Sequence, residues 1–451
     1  MRMTKNLTEG SPAKLIFFFT MPLIAGNIFQ QLYTVVDTMV VGKGLGVDAL
    51  AALGATDWLY WMVLGMIQGV TQGFSILMAR EFGAGKYENL RRVVGSSVTL
   101  AALCAAGFLV VSQLAAQPIL MLLNTPDEVI GQALLYLRVM FFGIPIVMAY
   151  NLLACILRSL GDSRTPLSAM IVAAGTNIVL DLLFVLVFRW GIGGAAAATL
   201  IAQFCSAVFC FLRLRKIDIL ALKADHFRPR DGLAVRLLSL GWPMALQNIM
   251  IAVGGMIITS VVNGYSVAFI AGFTATNKLY GVLEIAATSY GYAMITYVGQ
   301  NLGAKKLDRI HSGMRCAVAV AVATSVVIGT VMIFAGRGVV SLFISGTEAQ
   351  VAEATEAAYR YLAVMSACLP VLYILHVTRS AVQGAGDTVL PMVSGIAEFF
   401  MRTGGVLLLP PVLGGMGIFV AEVLAWLGAD LILVPSYFIT MSRITKKEKN
   451  P

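Results

Sequence analysis

Charge is scarce in this sequence. Asp, Glu, Lys and Arg make up 12% of its residues, against roughly 25% in an ordinary soluble domain. Hydrophobic residues reach 59% and mean hydropathy is +0.85, so the chain is an integral membrane protein. Catalytic signatures are absent as well. There is no GxxxxGK[ST] phosphate loop: at Gly83-Ala84-Gly85-Lys86, Arg80 stands where the first glycine belongs and Tyr87 follows the lysine, so the chain does not hold ATP in that way. It has neither an HExxH zinc helix nor a GxSxG elbow. The six cysteines (104, 155, 205, 210, 316, 368) fall in or near apolar stretches without a CxxC pair, so neither a disulfide framework nor a zinc site is implied and they read as packing residues. Three histidines, His226, His311 and His376, lie far apart; the first two fall in loops, and His376 reads as a packing or capping residue. An enzyme has nothing to stand on here. The first apolar stretch is too long for a cleaved signal peptide and stays as a helix.

What the chain does have is apolar spans. Twelve are read, at 15–42, 50–78, 93–116, 130–157, 166–188, 192–214, 235–263, 267–298, 314–335, 352–379, 389–410 and 415–441. The first suffices to cross a bilayer, which takes about 20 residues, and it carries one acid, Asp37. A carboxylate at that depth costs about 2.5–3.5 kcal/mol and is normally turned to a cavity, partner or ion. Pro22, fifteen residues earlier, lacks a backbone donor and invites a bend. Of 32 basic residues, 25 fall on one side, from Arg2, Lys5 and Lys14 through Arg379 to Arg443, Lys446, Lys447 and Lys449. Lys43, Arg138, Arg189, Arg337 and Arg360 fall opposite, and Lys278 and Arg402 lie within spans. The basic side is cytoplasmic by the positive-inside rule, which puts both termini in the cytoplasm. Basic residues in short loops also mean that the net charge of +9 does not imply nucleic acid.

The chain repeats itself. Met21-Pro22 recurs as Trp242-Pro243 after 221 residues, Ala55-Thr56-Asp57 as Ala275-Thr276-Asn277 after 220, Gly83-Ala84 as Gly303-Ala304 after 220, and Gly161-Asp162 as Gly386-Asp387 after 225. This is a duplication of six spans. Six is even, so both copies enter the membrane in one direction and a pseudo-twofold axis along the membrane normal is expected. The organisation is a first bundle over 1–214, a cytoplasmic linker over 215–234 and a second bundle over 235–451. Within the linker, IDILAL (217–222) suits a short interfacial helix. Gly65, Gly69 and Gly73 form a GxxxGxxxG row in span 2 that admits a close helix neighbour.

In the first bundle Asp37, Tyr136, Asn177, Asp181 and Thr199 fall at similar depth when counted from their span ends at about 1.5 Å per residue. Asn177 and Asp181, four apart, share a helix face. Two carboxylates, an amide, a hydroxyl and a phenol at one level can bind a small cation such as Na⁺ or share a proton. The second bundle differs: a shift of 225 carries Asn177 onto Arg402, with Glu398 and Glu422 as counter-charges, Lys278 and Glu284 in span 8, and Asp430 deeper. Mixed signs favour structural pairing there, with a cavity role for some.

With those residues in place the chain resembles the multidrug and toxin extrusion (MATE) family of bacterial transporters along its whole length. The resemblance is carried by Pro22 and Asp37 in PLIAGNIFQQLYTVVD, by Asn177 and Asp181 in NIVLDLLFV, and by GGAAAAT ending at Thr199. It implies export of amphipathic, often cationic, organic compounds in exchange for Na⁺ or H⁺, with no other cofactor. It also implies an ion site at Asp37, Asn177, Asp181 and Thr199, with Tyr136 nearby and a bend at Pro22. Some family members have an acid in span 7, but Leu246-Gln247-Asn248-Ile249 and the stretch beyond have none. Other readings are a lipid flippase of the same superfamily and a membrane receptor or scaffold. Pyrophosphate-handling flippases need several cavity arginines, and the spans hold only Arg402 and Lys278. The expected partners are small organic molecules and membrane lipids, without nucleic acid, and the chain is taken as a monomer of the cell membrane.

Overall fold

The computed structural model describes residues 4–123, 125–230, 232–341, 344 and 348–449. Arg2 and the side chains of Lys447 and Lys449 lie outside the described residues. All regular elements among the described residues are helical. In chain order they are α1 (Pro12–Leu45), α2 (Val47–Gly83), α3 (Tyr87–Leu122), α4 (Asp127–Phe142), α5 (Ile144–Ser159), α6 (Arg164–Asp181) and α7 (Gly191–Leu214). After the linker come α8 (Leu233–Val262), α9 (Val267–Gly303), α10 (Leu307–Ser341), α11 (Glu348–Ala367), α12 (Leu369–Gly384), α13 (Val389–Leu408), the one-turn α14 (Pro410–Leu413) and α15 (Met416–Lys449).

Eight of these helices are long and apolar enough to cross a membrane, ten if each of two bent pairs is one span. Every span read from the sequence falls on one of the helices or bent pairs. The remaining two are α9 and α13, whose hydropathy is lowered by Lys278 and Glu284 in one and by Glu398 and Arg402 in the other. Spans 4 and 10 are not the single helices that the sequence suggests. α4 and α5 meet at 48° and α11 and α12 at 50°. The reason is Pro145 and Pro370, each in the first turn of the second helix, where proline cannot donate to the preceding turn and its ring crowds the carbonyl there. The two prolines are 225 residues apart, so the bend itself is repeated.

The Gly-Asp landmark of the repeat also has a structural reason. Gly161 and Gly386 take φ of +82° and +94°, a region that glycine enters without strain. The following aspartate then caps the next helix: Arg164 and Thr165 donate backbone N–H to Asp162 Oδ1 at 3.0 Å each, and Leu390 N–H donates to Asp387 Oδ1 at 3.1 Å. Such caps satisfy donors that a helix start leaves open.

The described chain divides into two compact units, one chiefly Met21–Ile249 and the other chiefly Met250–Leu302 with Lys306–Pro451. In the first, α2 packs on α3, α4 and α5, and α7 on α5 and α6. Its glycine row does serve helix packing. A Cβ on Gly69 would come within 2.4 Å of the Ala245 backbone nitrogen, and one on Gly73 within 2.4 Å of the Gly241 Cα, while Asn248 Nδ2 donates to Gly65 O at 2.8 Å. In the second unit α15 packs on α12 and α13, and α10 on α11 and α12.

The linker forms no interfacial helix at 217–222. It has two short 3₁₀ turns, Asp218–Leu220 and Ala224–Phe227, because α3 takes up its polar groups. Arg91 Nε donates to Ile219 O at 3.0 Å, Thr99 Oγ1 donates to Phe227 O at 2.6 Å, and His226 Nε2 meets Glu88 Oε1 at 3.0 Å. His226 is thus buried and partnered, and His311 lies inside α10 with Tyr437 OH 3.2 Å from its Nδ1.

Candidate functional site

The polar residues at one depth in the first unit converge. Asp37 comes from α1, Tyr136 from α4, Asn177 and Asp181 from the end of α6, and Thr199 from two turns into α7. All five are buried; Asn177 and Asp181 are 0% exposed and Asp37 is 7% exposed. The carboxyls of Asp37 and Asp181 are neighbours. Asn177 Nδ2 donates to Thr199 Oγ1 at 3.3 Å. Four acceptor oxygens are left inside the protein without a hydrogen-bond donor: Asp37 Oδ1, Asn177 Oδ1 and both carboxylate oxygens of Asp181. Buried polar atoms are nearly always satisfied, and two adjacent carboxylates repel unless a proton or cation lies between them. Among the described residues no three His, Cys, Asp or Glu side chains are grouped as metal ligands. A cation here would rest on two acids with an amide and a hydroxyl oxygen, a hard donor set unlike the Cys and His sets of zinc.

Local structure fixes this arrangement. Directly after Asp181 the helix changes to a π turn, Leu182–Val187, a wider winding that is frequent at functional sites. Gly44 lets α1 lie on that turn, since a Cβ there would come 2.7 Å from Leu186 Cδ2 and 3.2 Å from Val185 Cγ1. Phe184 of this turn makes ring contacts with Phe188 and Trp190 just beyond it, which also meet each other. α1 is one helix from Pro12 to Leu45 with Pro22 inside it.

Sequence reasoning missed the surroundings. Tyr33, Tyr60 and Asp57 lie within electrostatic reach of the acids or of Tyr136, and Gln203 lies beside Tyr60. Helical spacing was the available signal, for Tyr33 precedes Asp37 by one turn and Gln203 follows Thr199 by one turn.

In the second unit the expected charge pairing is present and larger than the sequence suggested. Arg402 Nη2 donates to Glu398 Oε1 at 3.0 Å, and its Nε donates to Glu422 Oε2 at 3.1 Å. Arg379, taken from sequence as one of the basic residues outside the spans, is instead 6% exposed and donates to Glu398 Oε2 at 2.7 Å. Arg379 therefore joins Lys278 and Arg402 among the basic residues within the second unit's helices. His376 is likewise no bare packing residue, since its Nε2 lies 3.2 Å from Glu284 Oε1.

The family model MatE matches the chain twice, over residues 22–183 and 243–403, which is the internal repeat again. The chain belongs to the MATE family. Its members are membrane transporters and not enzymes, and this chain is a multi-pass membrane protein of that family. It is 30% identical over 305 residues to the probable multidrug resistance protein YpnP of Bacillus subtilis (strain 168), covering 68% of each chain. To YoeA of the same organism, also a probable multidrug resistance protein, it is 30% identical over 323 residues, 70% of each. Its fold is that of an outward-facing multidrug resistance MATE family transporter of the MOP superfamily, with a TM-score of 0.90, 21% identity and 99% of both chains covered.

Proposed function

We propose that this MATE transporter is a secondary antiporter of the cell membrane, with both termini cytoplasmic, that exports amphipathic, chiefly cationic organic compounds in exchange for H⁺ or Na⁺. The observation that carries the reading is the set of four buried acceptor oxygens on Asp37, Asn177 and Asp181 that no protein donor satisfies. Such a set favours a proton or small cation over a neutral ligand. Thr199 holds the Asn177 amide, and Tyr136 closes the site on the α4 side. Nothing basic lies in the spans beside these acids, so no fixed positive charge opposes a cation. Occupancy alters the charge at Asp37 on α1, and Pro22 is where that helix yields, so ion exchange and release of the organic substrate are linked through α1. In the second unit Glu398 and Glu422 are matched by Arg379 and Arg402 and serve structure.

The test is efflux of ethidium from a transporter-deficient host carrying the chain, with and without an ionophore. Wild type should export the dye, and the ionophore should stop it. Asp37→Asn keeps shape while removing charge and titration, and should reduce efflux to background with membrane insertion intact. Normal efflux by Asp37→Asn sinks this mechanism.

A further inference from the structure

The two units end differently on their basic side. In the first, Arg91 near the start of α3 donates its Nε to Ile219 O at 3.0 Å. The chain that leaves α7 thus folds back and covers this part of α3. A shift of 220 carries Arg91 onto His311, near the start of α10. There the chain does not fold back, because α15 runs on as a helix to Lys449. α10 and α15 each pack on α12, and Tyr437 OH meets His311 Nδ1 between them at 3.2 Å. Beside that bridge lies an open groove of about 400 Å³, lined by His311, Phe438, Met441, Ser442, Thr445 and Lys446.

The groove is graded from apolar to basic. Phe438, Ser442, Thr445 and Lys446 recur three and four residues apart and so share one face of α15. In the other direction that face continues into the span as Val434 and Leu431, both exposed like Phe438. On α10, His311 and Arg315 are one turn apart and are followed on their face by Ala319 and Val326, both exposed. Among the described residues no carboxylate lines the groove; Asp308, the acid nearest in sequence, stands three residues before His311 and is exposed. Thr445 Oγ1 already donates to Met441 O at 2.9 Å. The donors for an anion are therefore the Lys446 ammonium, the Ser442 hydroxyl and the His311 ring. With Nδ1 assigned to accept from Tyr437, the ring hydrogen lies on Nε2.

We propose that this groove binds one anionic phospholipid, with its headgroup phosphate on Lys446, Ser442 and His311 and its acyl chains along Phe438, Val434 and Leu431. A phosphate oxygen takes charge-assisted hydrogen bonds from such donors, and basic pockets between membrane helices on the cytoplasmic side suit anionic headgroups. Free phosphate would use the polar end alone and leave the apolar face uncovered. The lipid fills beside α10 the space that the linker fills beside α3. Its leaflet rests on the cytoplasmic placement of the termini proposed above, whereas binding itself does not.

The test uses the full-length protein in dodecyl maltoside micelles, titrated with phosphatidylglycerol or with phosphatidylcholine of the same acyl chains and read by native mass spectrometry. Wild type should retain phosphatidylglycerol more tightly than phosphatidylcholine. Lys446→Gln should weaken that retention about fivefold, the share of one lysine at an anionic surface, and Ser442→Glu should abolish the preference. Both side chains are exposed, so neither change disturbs the core. Lys86→Gln, at an exposed lysine on the basic side of the first unit, should bind like wild type. Equal retention of the two lipids overturns the site. An equal loss in Lys86→Gln also overturns it, since the attraction would then belong to the basic surface at large. Displacement of phosphatidylglycerol by inorganic phosphate overturns the lipid assignment. Ethidium efflux enters none of these measurements, so failure of the antiport reading and failure of the lipid site are separate results.

Discussion

Asn177 and Arg402 occupy equivalent places in the two halves of the repeat, and their side chains set opposite electrostatics. The amide leaves a carbonyl oxygen beside two acids, which invites positive charge. The guanidinium is already positive and is matched by Glu398 and Glu422. Asp181→Asn should therefore abolish any rise in melting temperature with Na⁺ or with pH change, since a ligand that binds only the folded form stabilises it, by about 2.7 kcal/mol at a hundred times its Kd. Glu422→Gln should instead lower baseline stability, because removing one partner of a buried pair leaves the other charge uncompensated, and the ion response should persist. Melting curves of both variants across a Na⁺ series and a pH series decide this, and the reverse pattern would transfer ion binding to the second unit. Asp37 and Asp181 were legible because a charge in an apolar run stands out. Tyr33 and Tyr60 were not, because a phenol looks alike whether it packs or lines a site. Arg379 was misplaced because it lies near a span's end, where a basic residue ordinarily reaches water.

Among the elements, α2 shows most directly what a helix surface must be. Gly69 and Gly73 meet the backbone of α8 where no Cβ fits, whereas a Cβ on Gly54 or Gly107 meets nothing within 4 Å. Gly69→Val should lower stability by about 1–3 kcal/mol or more, the usual cost of overpacking. Gly107→Ala should be neutral or stabilising by about 0.5–1 kcal/mol, since alanine restricts the unfolded chain more. Thermal unfolding of the purified variants separates the two, and equal melting temperatures would mean that the α2–α8 approach is not structural. The GxxxGxxxG spacing made this contact readable. The bends after Phe142 and Ala367 were not read, although Pro145 and Pro370 marked them, because apolarity continues through each bend and hydropathy alone does not see direction. The π turn after Asp181 left no mark, since six apolar residues suit either winding.

For the molecule as a whole, duplication and charge placement together fix how the chain should enter the membrane. The topology proposed above has an even number of spans and places both ends on the basic side, as the positive-inside rule would have it. A fluorescent protein that matures only in the cytoplasm should glow when fused to either terminus, and a dark fusion at one end only would mean an odd number of crossings. The fold was legible at this scale because two copies of one pattern must make similar units. The difference in charge between the units was legible too, since it resides in substitutions of residue type. The aromatic contacts reported above have an optical consequence. Each unit carries a tryptophan in an aromatic contact: the ring of Trp190 lies 4.5 Å from that of Phe184, itself three residues after Asp181, and Trp426 stacks on Tyr280 at 5.9 Å. Trp190 is 57% exposed and Trp426 only 1%, so one reports from the protein surface and the other from its interior. Two single-tryptophan versions of the chain would thus report events in each unit separately by fluorescence, with no dye attached.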